Sequence, residues 1–453
     1  MQIRVNSEIG RLRSVIMQPP GRGIERCTPL NVGSLAWDSV PSPEKALAEH
    51  KKWVETVEAS GAKVYLFEDL LRSVLALPAA KKEVVSGVLG TERAFLTEQT
   101  LEVLSELLLA LPPKKLVDRL FFGMTKEELN RATAEVSLAD LADGRNEWAL
   151  FPMTNVLYSR DPAAVLGEGV VFGKMFNRDR VKEPVCIRAI FRHHEDFRQC
   201  AFQTWYGASP EDDTPAEGGN LHCYSPSVFI VGVNERTSPV TIEKIARRTM
   251  ANGAITDVLA LMFENPRVSA TDSIGLSVHV DMFLNMIDHD AFLFFPYIEK
   301  KLTVLHITRG RGDRLQIRRE NSLFGAIRKV LKLDSVRIIK VGGDEPEAVA
   351  FSEQRSGSGG NTFNLEPGKV CIWDRNRGTM KALEKAGITV VPVDADELVK
   401  GGGGPRCTTM PLEREDLLGS SPPDCKGRGQ STRTAVPQVV TMSILLPFDP
   451  RTS

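Results

Sequence analysis

The sequence predicts a mixed α/β chain of several small strand–helix units, with a block of helices set into it. Three observations carry this reading. The chain opens as strand, helix, strand. Residues from about 68 to 147 keep helical spacing without a strand signal. From Phe151 onward, short strands and helices alternate without the long parallel run of a doubly wound sheet.

Taken in order, Leu12–Gln18 reads as a first strand stopped by Pro19-Pro20-Gly21. Glu44–Ser60 has a helical apolar side of Ala46, Leu47, Trp53, Val54 and Val57, with Gly61 placed to end it and a short strand at 62–67. The helical block follows as patches at 70–77, 79–89, 97–110, 114–121 and 126–133. Thr97 is the N-cap of the third patch, and the whole reads as a small inserted bundle. Strands are expected at 170–172, 228–233, 291–295, 303–306, 336–340, 369–373 and 389–393. Helices at 242–252, 322–331 and 376–386 lie between some of them. After Arg414 no period persists and the tail is expected to be disordered, with at most a short strand at 443–448.

Composition narrows the function classes. Across 453 residues, 57 Lys+Arg against 58 Asp+Glu leave a net charge of -1, which gives no electrostatic case for nucleic acid or a membrane surface. The Arg309-Gly-Arg-Gly-Asp-Arg314 stretch reads as a solvated basic loop. No apolar run is long enough to span a membrane, and the first residues are not a signal peptide. The 7 cysteines are scattered, with no C-x-x-C pair, which points to a reducing compartment and a cytoplasmic protein.

The chemistry gathers around Gly401-Gly-Gly-Gly-Pro-Arg-Cys407. Four glycines allow a backbone to approach a ligand closely, and Arg406 would favour a thiolate at Cys407 if the two side chains meet. Upstream stand Asp161 in Ser-Arg-Asp-Pro, Glu217 before a glycine pair and Asn220, and the turn Gly342-Gly-Asp344. In Val278-His-Val-Asp281, a strand would put His279 and Asp281 on one face. His193, His194, Cys200, His222 and Cys223 fit no standard zinc spacing, so no metal and no cofactor are expected.

In this order the motifs resemble the arginine deiminase family of guanidine-modifying enzymes. The resemblance rests on Ser159-Arg-Asp-Pro162, Glu217-Gly-Gly219, Gly232-Val-Asn-Glu-Arg-Thr237, His279-Val-Asp281, Asp374-Arg-Asn376 and Pro405-Arg-Cys407. It runs from Ser7 to about residue 414. It implies a five-bladed, pseudo-symmetric α/β propeller with an inserted helical subdomain. The propeller would comprise residues 1–69 and 151–416, the insertion 70–150, and the tail 417–453. It also implies hydrolysis of L-arginine to L-citrulline and ammonia by Cys407 through a covalent thiouronium. Asp161 and Asp281 would grip the guanidinium, a planar five-donor cation that suits carboxylates. Glu217 and His279 would complete the site, with His279 moving protons. Asn155, Arg180 and Arg236 would hold the α-carbon end of the substrate, with Asn220 near it. The resemblance allows a homodimer.

The sequence departs from the family in three places. Asn220 replaces a common Asp, Ser358 precedes Gly359 where an Asp is usual, and Gly402 stands where some members carry an arginine. Asn220 leaves amidino transfer or further hydrolysis to ornithine as alternative outcomes on the same fold. A weakly catalytic arginine-binding homologue is the alternative from another class.

Overall fold

One unit recurs five times in the computed structural model of the chain, which describes residues 2–133, 147–263, 279–312 and 314–417. It consists of a strand, an antiparallel partner, a helix and a third strand parallel to the second. The first in the chain is Ala163–Leu166, Gly169–Phe172, helix Glu183–His193 and Gln203–Tyr206. Next come Leu221–Ser225, Val228–Val233, helix Pro239–Ala251 and Asp257–Phe263, a sheet that Leu302–Arg309 and Leu315–Glu320 extend. The third pairs Leu284–Met286 with Ala291–Phe294 and returns through helix Leu323–Leu331 to Arg337–Lys340. Phe363–Glu366, Lys369–Trp373, helix Arg377–Lys385 and Thr389–Val393 make the fourth. The fifth joins the two ends of the described chain. Met410–Arg414 runs antiparallel to Leu12–Met17, which pairs in parallel with Lys63–Leu66 after helix Pro43–Glu58.

Local sequence accounts for these elements. Proline at the first turn starts the helices at Pro43, Pro78, Pro113 and Pro239, where its missing N–H is no loss. Thr97 caps Glu98–Ala110 as expected, its hydroxyl accepting from the Thr100 N–H. The middle strand of each unit has neighbours on both sides, and Val228–Ile230 and Val370–Trp373 are apolar and buried along their length.

Two expectations are corrected. Val280–Met282 forms a 3₁₀ turn rather than a strand, with His279 extended just before it, so His279 and Asp281 do not share a strand face. The stretch after Gly342-Gly343 holds an unexpected helix, Glu347–Gly357, which Ser358 ends in the left-handed region at φ 50. The expected tail and its short strand lie outside the described residues.

The helical block runs Phe67–Leu75, Pro78–Glu92, Glu98–Ala110, Pro113–Phe122 and Lys126–Thr133. Its apolar faces do not close on themselves. Val74, Val88, Leu104 and Leu120 share one core with Val165, Val170, Ile187 and Ile190 of the first unit, so the block buttresses the sheet that carries Asp161. No helix among the described residues is long and apolar enough to cross a membrane.

Candidate active site

The loops leading into the first strands of the five units meet, and three of them, carrying Asp161, His279 and Cys407, line a cleft of about 240 Å³, whereas Glu217 and Asp281 are fully buried and are not among its lining residues. These loops bring Asp161 two residues before Ala163, and Glu217 with the turn Gly218–Asn220 before Leu221. They also bring His279 and Asp281 before Leu284, Asn361 before Phe363, and Cys407 before Met410. Four of the five loops carry residues that the sequence expected to act in the site. Asn361, on the remaining loop, was missed.

Close packing fixes the loops. A Cβ on Gly219 would come within 2.4 Å of His279 Nδ1, so only glycine lets the Glu217 turn lie against that ring. A Cβ on Gly404 would meet the Asn361 carbonyl oxygen at 2.5 Å. Asn361 Oδ1 accepts from the backbone N–H groups of Arg406 and Cys407 at 3.0 and 3.1 Å, and its Nδ2 lies 3.2 Å from Cys407 Sγ. The Trp373 indole N–H donates to the Gly403 carbonyl, and that of Trp53 to the Thr408 hydroxyl.

The three buried carboxylates that these loops carry each hold an arginine. Glu217 accepts from Arg236 Nη1 through both oxygens, and one of these oxygens lies 2.9 Å from His279 Nε2. Asp161 accepts from Arg180 Nη1 and from the Gly219 N–H, with His279 Nδ1 3.6 Å away. Arg180 also forks onto Glu183. Asp281 accepts from Arg406 Nη1 through Oδ2, which lies 3.8 Å from Cys407 Sγ, while its buried Oδ1 has no protein partner among the described residues.

Arg406 does favour the Cys407 thiolate, but as the weakest of the influences on it. Its guanidinium forks onto the buried carboxylate of Glu8 and reaches Asp281. Burial, and then the charges of Asp281 and Asp161, push the Cys407 thiol well above its ordinary pKa, against weaker opposing pulls from the Gly404 backbone and Arg406. Burial also disfavours an imidazolium at His279, yet Asp161 and Glu217 outweigh it and hold that pKa above the usual value.

The site thus gathers a thiol, a histidine between two carboxylates, and carboxylates that already hold guanidinium groups of the chain's own arginines. A family model described as Arginine deiminase matches residues 33–414. The chain belongs to the arginine deiminase family. Arginine deiminase 1 of Staphylococcus epidermidis is 30% identical over 421 residues, spanning 92% of this chain and 99% of the relative. The arginine deiminase of Streptococcus agalactiae serotype V is 32% identical over 418 residues, spanning 92% and 98%. A solved structure titled as SxtG, an amidinotransferase from Microseira wollei in the saxitoxin biosynthetic pathway, matches with a TM-score of 0.51 at 12% identity, over 92% of this chain and 99% of that one. That likeness is one of fold.

Within this arginine deiminase homologue the expected substrate residues divide. Asn155, Arg180 and Arg236 line the cleft with Cys407, His279 and Asp161. Asn220 is fully buried and is not among the lining residues. Its Nδ2 donates to Asn234 Oδ1 and Thr237 Oγ1, and its Oδ1 accepts from the Val280 N–H. It ties the Glu217 loop to the His279 loop. Among the described residues, the one group with metal-ligand spacing is Asp161, Glu217 and His279, within 4.8 Å of one another. Arginine and backbone N–H groups already engage both of those carboxylates.

Proposed function

We propose that this protein hydrolyses the guanidinium group of L-arginine to L-citrulline and ammonia at Cys407. The observation that carries the reading is the meeting of Cys407 Sγ with the buried Asp281, beside a His279 held between two carboxylates, with Cys407 and His279 both lining one cleft. Five like units, the last joining the two ends of the described chain, support closure as a five-bladed α/β propeller in which residues 70–150 are an insertion.

The substrate guanidinium enters toward Asp281 Oδ1, the carboxylate oxygen without a protein partner, and Asp161 accepts its remaining N–H groups. Its positive charge offsets the carboxylate field that keeps Cys407 protonated, so binding itself favours the thiolate. Sγ then attacks the guanidinium carbon. A proton from His279 goes to the departing nitrogen, which leaves as ammonia, and a thiouronium remains on Cys407. Water gives a proton to His279 and its oxygen to the same carbon. The C–S bond breaks, and citrulline leaves with the thiol regenerated. Glu217 holds the imidazole through both steps. The α-carboxylate of arginine is the anion that Arg180 and Arg236 take, which draws them from Asp161 and Glu217.

Incubation of the purified protein with L-arginine in heavy-oxygen water tests this. The expected product is citrulline carrying one heavy oxygen, with one ammonia per turnover. Ornithine as the product would instead establish the dihydrolase outcome.

A further inference from the structure

From floor to rim the cleft changes character. Cys407, His279 and Asp161 are buried, whereas Asp38 and Arg355 line the same cleft and are exposed. Two acids line it. Asp161 is held by Arg180, but Asp38 has no ion-pair partner among the described residues.

Asp38 is nonetheless fixed in place. Leu35, three residues earlier, has its carbonyl held by Asn155 Nδ2 at 2.9 Å and by the Thr154 hydroxyl at 3.1 Å. Ala36 then takes the left-handed conformation at φ 59, and Trp37 drops into the core. The Asp38 N–H donates to the Lys400 carbonyl at 2.8 Å, which ties this loop to the Gly401–Gly403 wall. No side chain rises from Gly402, where a Cβ would stand 3.9 Å from Asp38 Oδ2. A carboxylate is thus presented at the mouth of the cleft on an anchored loop, beside a bare wall and on the same cleft as Arg236 and Arg355.

A guanidino substrate with its reacting end at Cys407 places its other end at this mouth. In an α-amino acid that end carries a carboxylate, suited to the arginines, and an ammonium, suited to an acid, and of the two acids that line the cleft Asp161 is already held by Arg180. We propose that Asp38 is a specificity-determining residue that selects substrates bearing a free α-ammonium group, through a charge-assisted hydrogen bond. This rests on the reading of the site as an arginine-hydrolysing one, and it adds the group that tells arginine from its des-amino analogue.

The test is calorimetric binding in a Cys407→Ala background, with and without Asp38→Asn. Three ligands serve as probes: L-arginine, agmatine (ammonium but no carboxylate) and δ-guanidinovalerate (carboxylate but no ammonium). Asp38→Asn should weaken arginine and agmatine roughly fivefold, the size expected of a partly exposed ion pair, and leave δ-guanidinovalerate unchanged within about twofold. Asp38→Glu should recover part of the loss. Unchanged arginine binding overturns the proposal, and so does equal weakening of all three ligands, which would mark a loop-holding role. Because the readout is binding, it stands apart from the activity. Failure of the unmodified protein to form citrulline would sink the reaction, whereas this result judges Asp38 alone.

Discussion

Asn361 holds Cys407 from two directions, accepting from its backbone N–H at 3.1 Å and setting an amide nitrogen 3.2 Å from its sulfur. The same carbonyl oxygen accepts from the Arg406 N–H, and the same amide nitrogen donates to the Asp281 carbonyl. One fully buried amide therefore sets the spacing between Cys407 and Asp281.

Asn361→Ala should leave two buried N–H groups and one carbonyl without this partner. A loss of stability of about 2 kcal/mol is expected, together with a fall in kcat larger than any change in KM. Denaturant melts and steady-state kinetics check this. Full kcat with only a lower melting temperature would reduce Asn361 to a packing role. Asn361→Asp keeps the acceptor but adds a charge beside the sulfur, so alkylation of Cys407 should slow further in that variant.

The free thiol should be almost wholly protonated near neutrality. Because burial, with Asp281 and Asp161, holds its pKa well above the ordinary value, the thiolate fraction should rise about tenfold per pH unit from about pH 7 to about pH 9. Iodoacetamide inactivation of the ligand-free protein should follow that slope without a plateau. A plateau beginning below about pH 8 would contradict the electrostatic picture of the empty site.

Arg236→Ala removes a cation from a fully buried Glu217. Burial alone would raise the Glu217 pKa, but the His279 hydrogen bond and Arg236 outweigh it and hold the carboxyl below its usual range. A group depressed in the fold stabilises above its unfolded pKa and loses that contribution as pH falls through its folded value. The variant should be less stable by about 3 kcal/mol, and its acid unfolding midpoint should move to higher pH. Circular dichroism along an acid titration gives the answer, with an unmoved midpoint as the contrary result. Arginine binding should also weaken more than agmatine binding, because only arginine offers a carboxylate.

Much of this site could be read in the sequence, for reasons that the fold makes plain. Asp161, Glu217, His279, Asp281 and Cys407 lie in short motifs in which neighbours such as Gly219 leave no room for a side chain. Lys369–Trp373 and Val228–Val233 fall on the expected residues because central strands are continuous apolar runs. What could not be read is where charges pair across the chain. Arg406 follows the glycine loop, yet its partner Glu8 is 398 residues away, and no local pattern links them. Asn361 did leave a signal. Gly359-Gly360-Asn361 repeats the Gly218-Gly219-Asn220 tripeptide, and each stands just before a unit's first strand. Helix Glu347–Gly357 was hidden because its serines and glycine resemble loop composition, while its buried side rests on few residues, among them Ala350, Glu353 and Gln354.

The Asn220→Asp substitution separates the sequence pattern from the structure. Pattern alone predicts a gain, since an acid is common in the family at this position and would add negative potential near a cationic substrate. The structure predicts a loss. Asn220 Nδ2 donates to Asn234 Oδ1 and Thr237 Oγ1, so an ionised carboxylate would put an oxygen against an amide oxygen that cannot turn away without giving up its other bonds. Asn234 Oδ1 also accepts from the Arg236 and Thr237 N–H groups. The new acid would be buried without a cation, and its pKa should rise above the model-peptide value of about 3.9. A group raised in the fold gives stability below its unfolded pKa and loses it as pH rises through the folded value. The variant should therefore approach the unmodified protein near pH 4 and fall behind it steadily toward pH 8, by a few kcal/mol if the acid stays buried. Because Asn220 Oδ1 also holds the Val280 N–H beside His279, kcat should drop over the same range. Thermal melts and kinetics across pH 4 to 8 decide the matter: a stability gap that does not widen with pH, or a gain in kcat at pH 7, would mean that the loops rearrange to accept the acid.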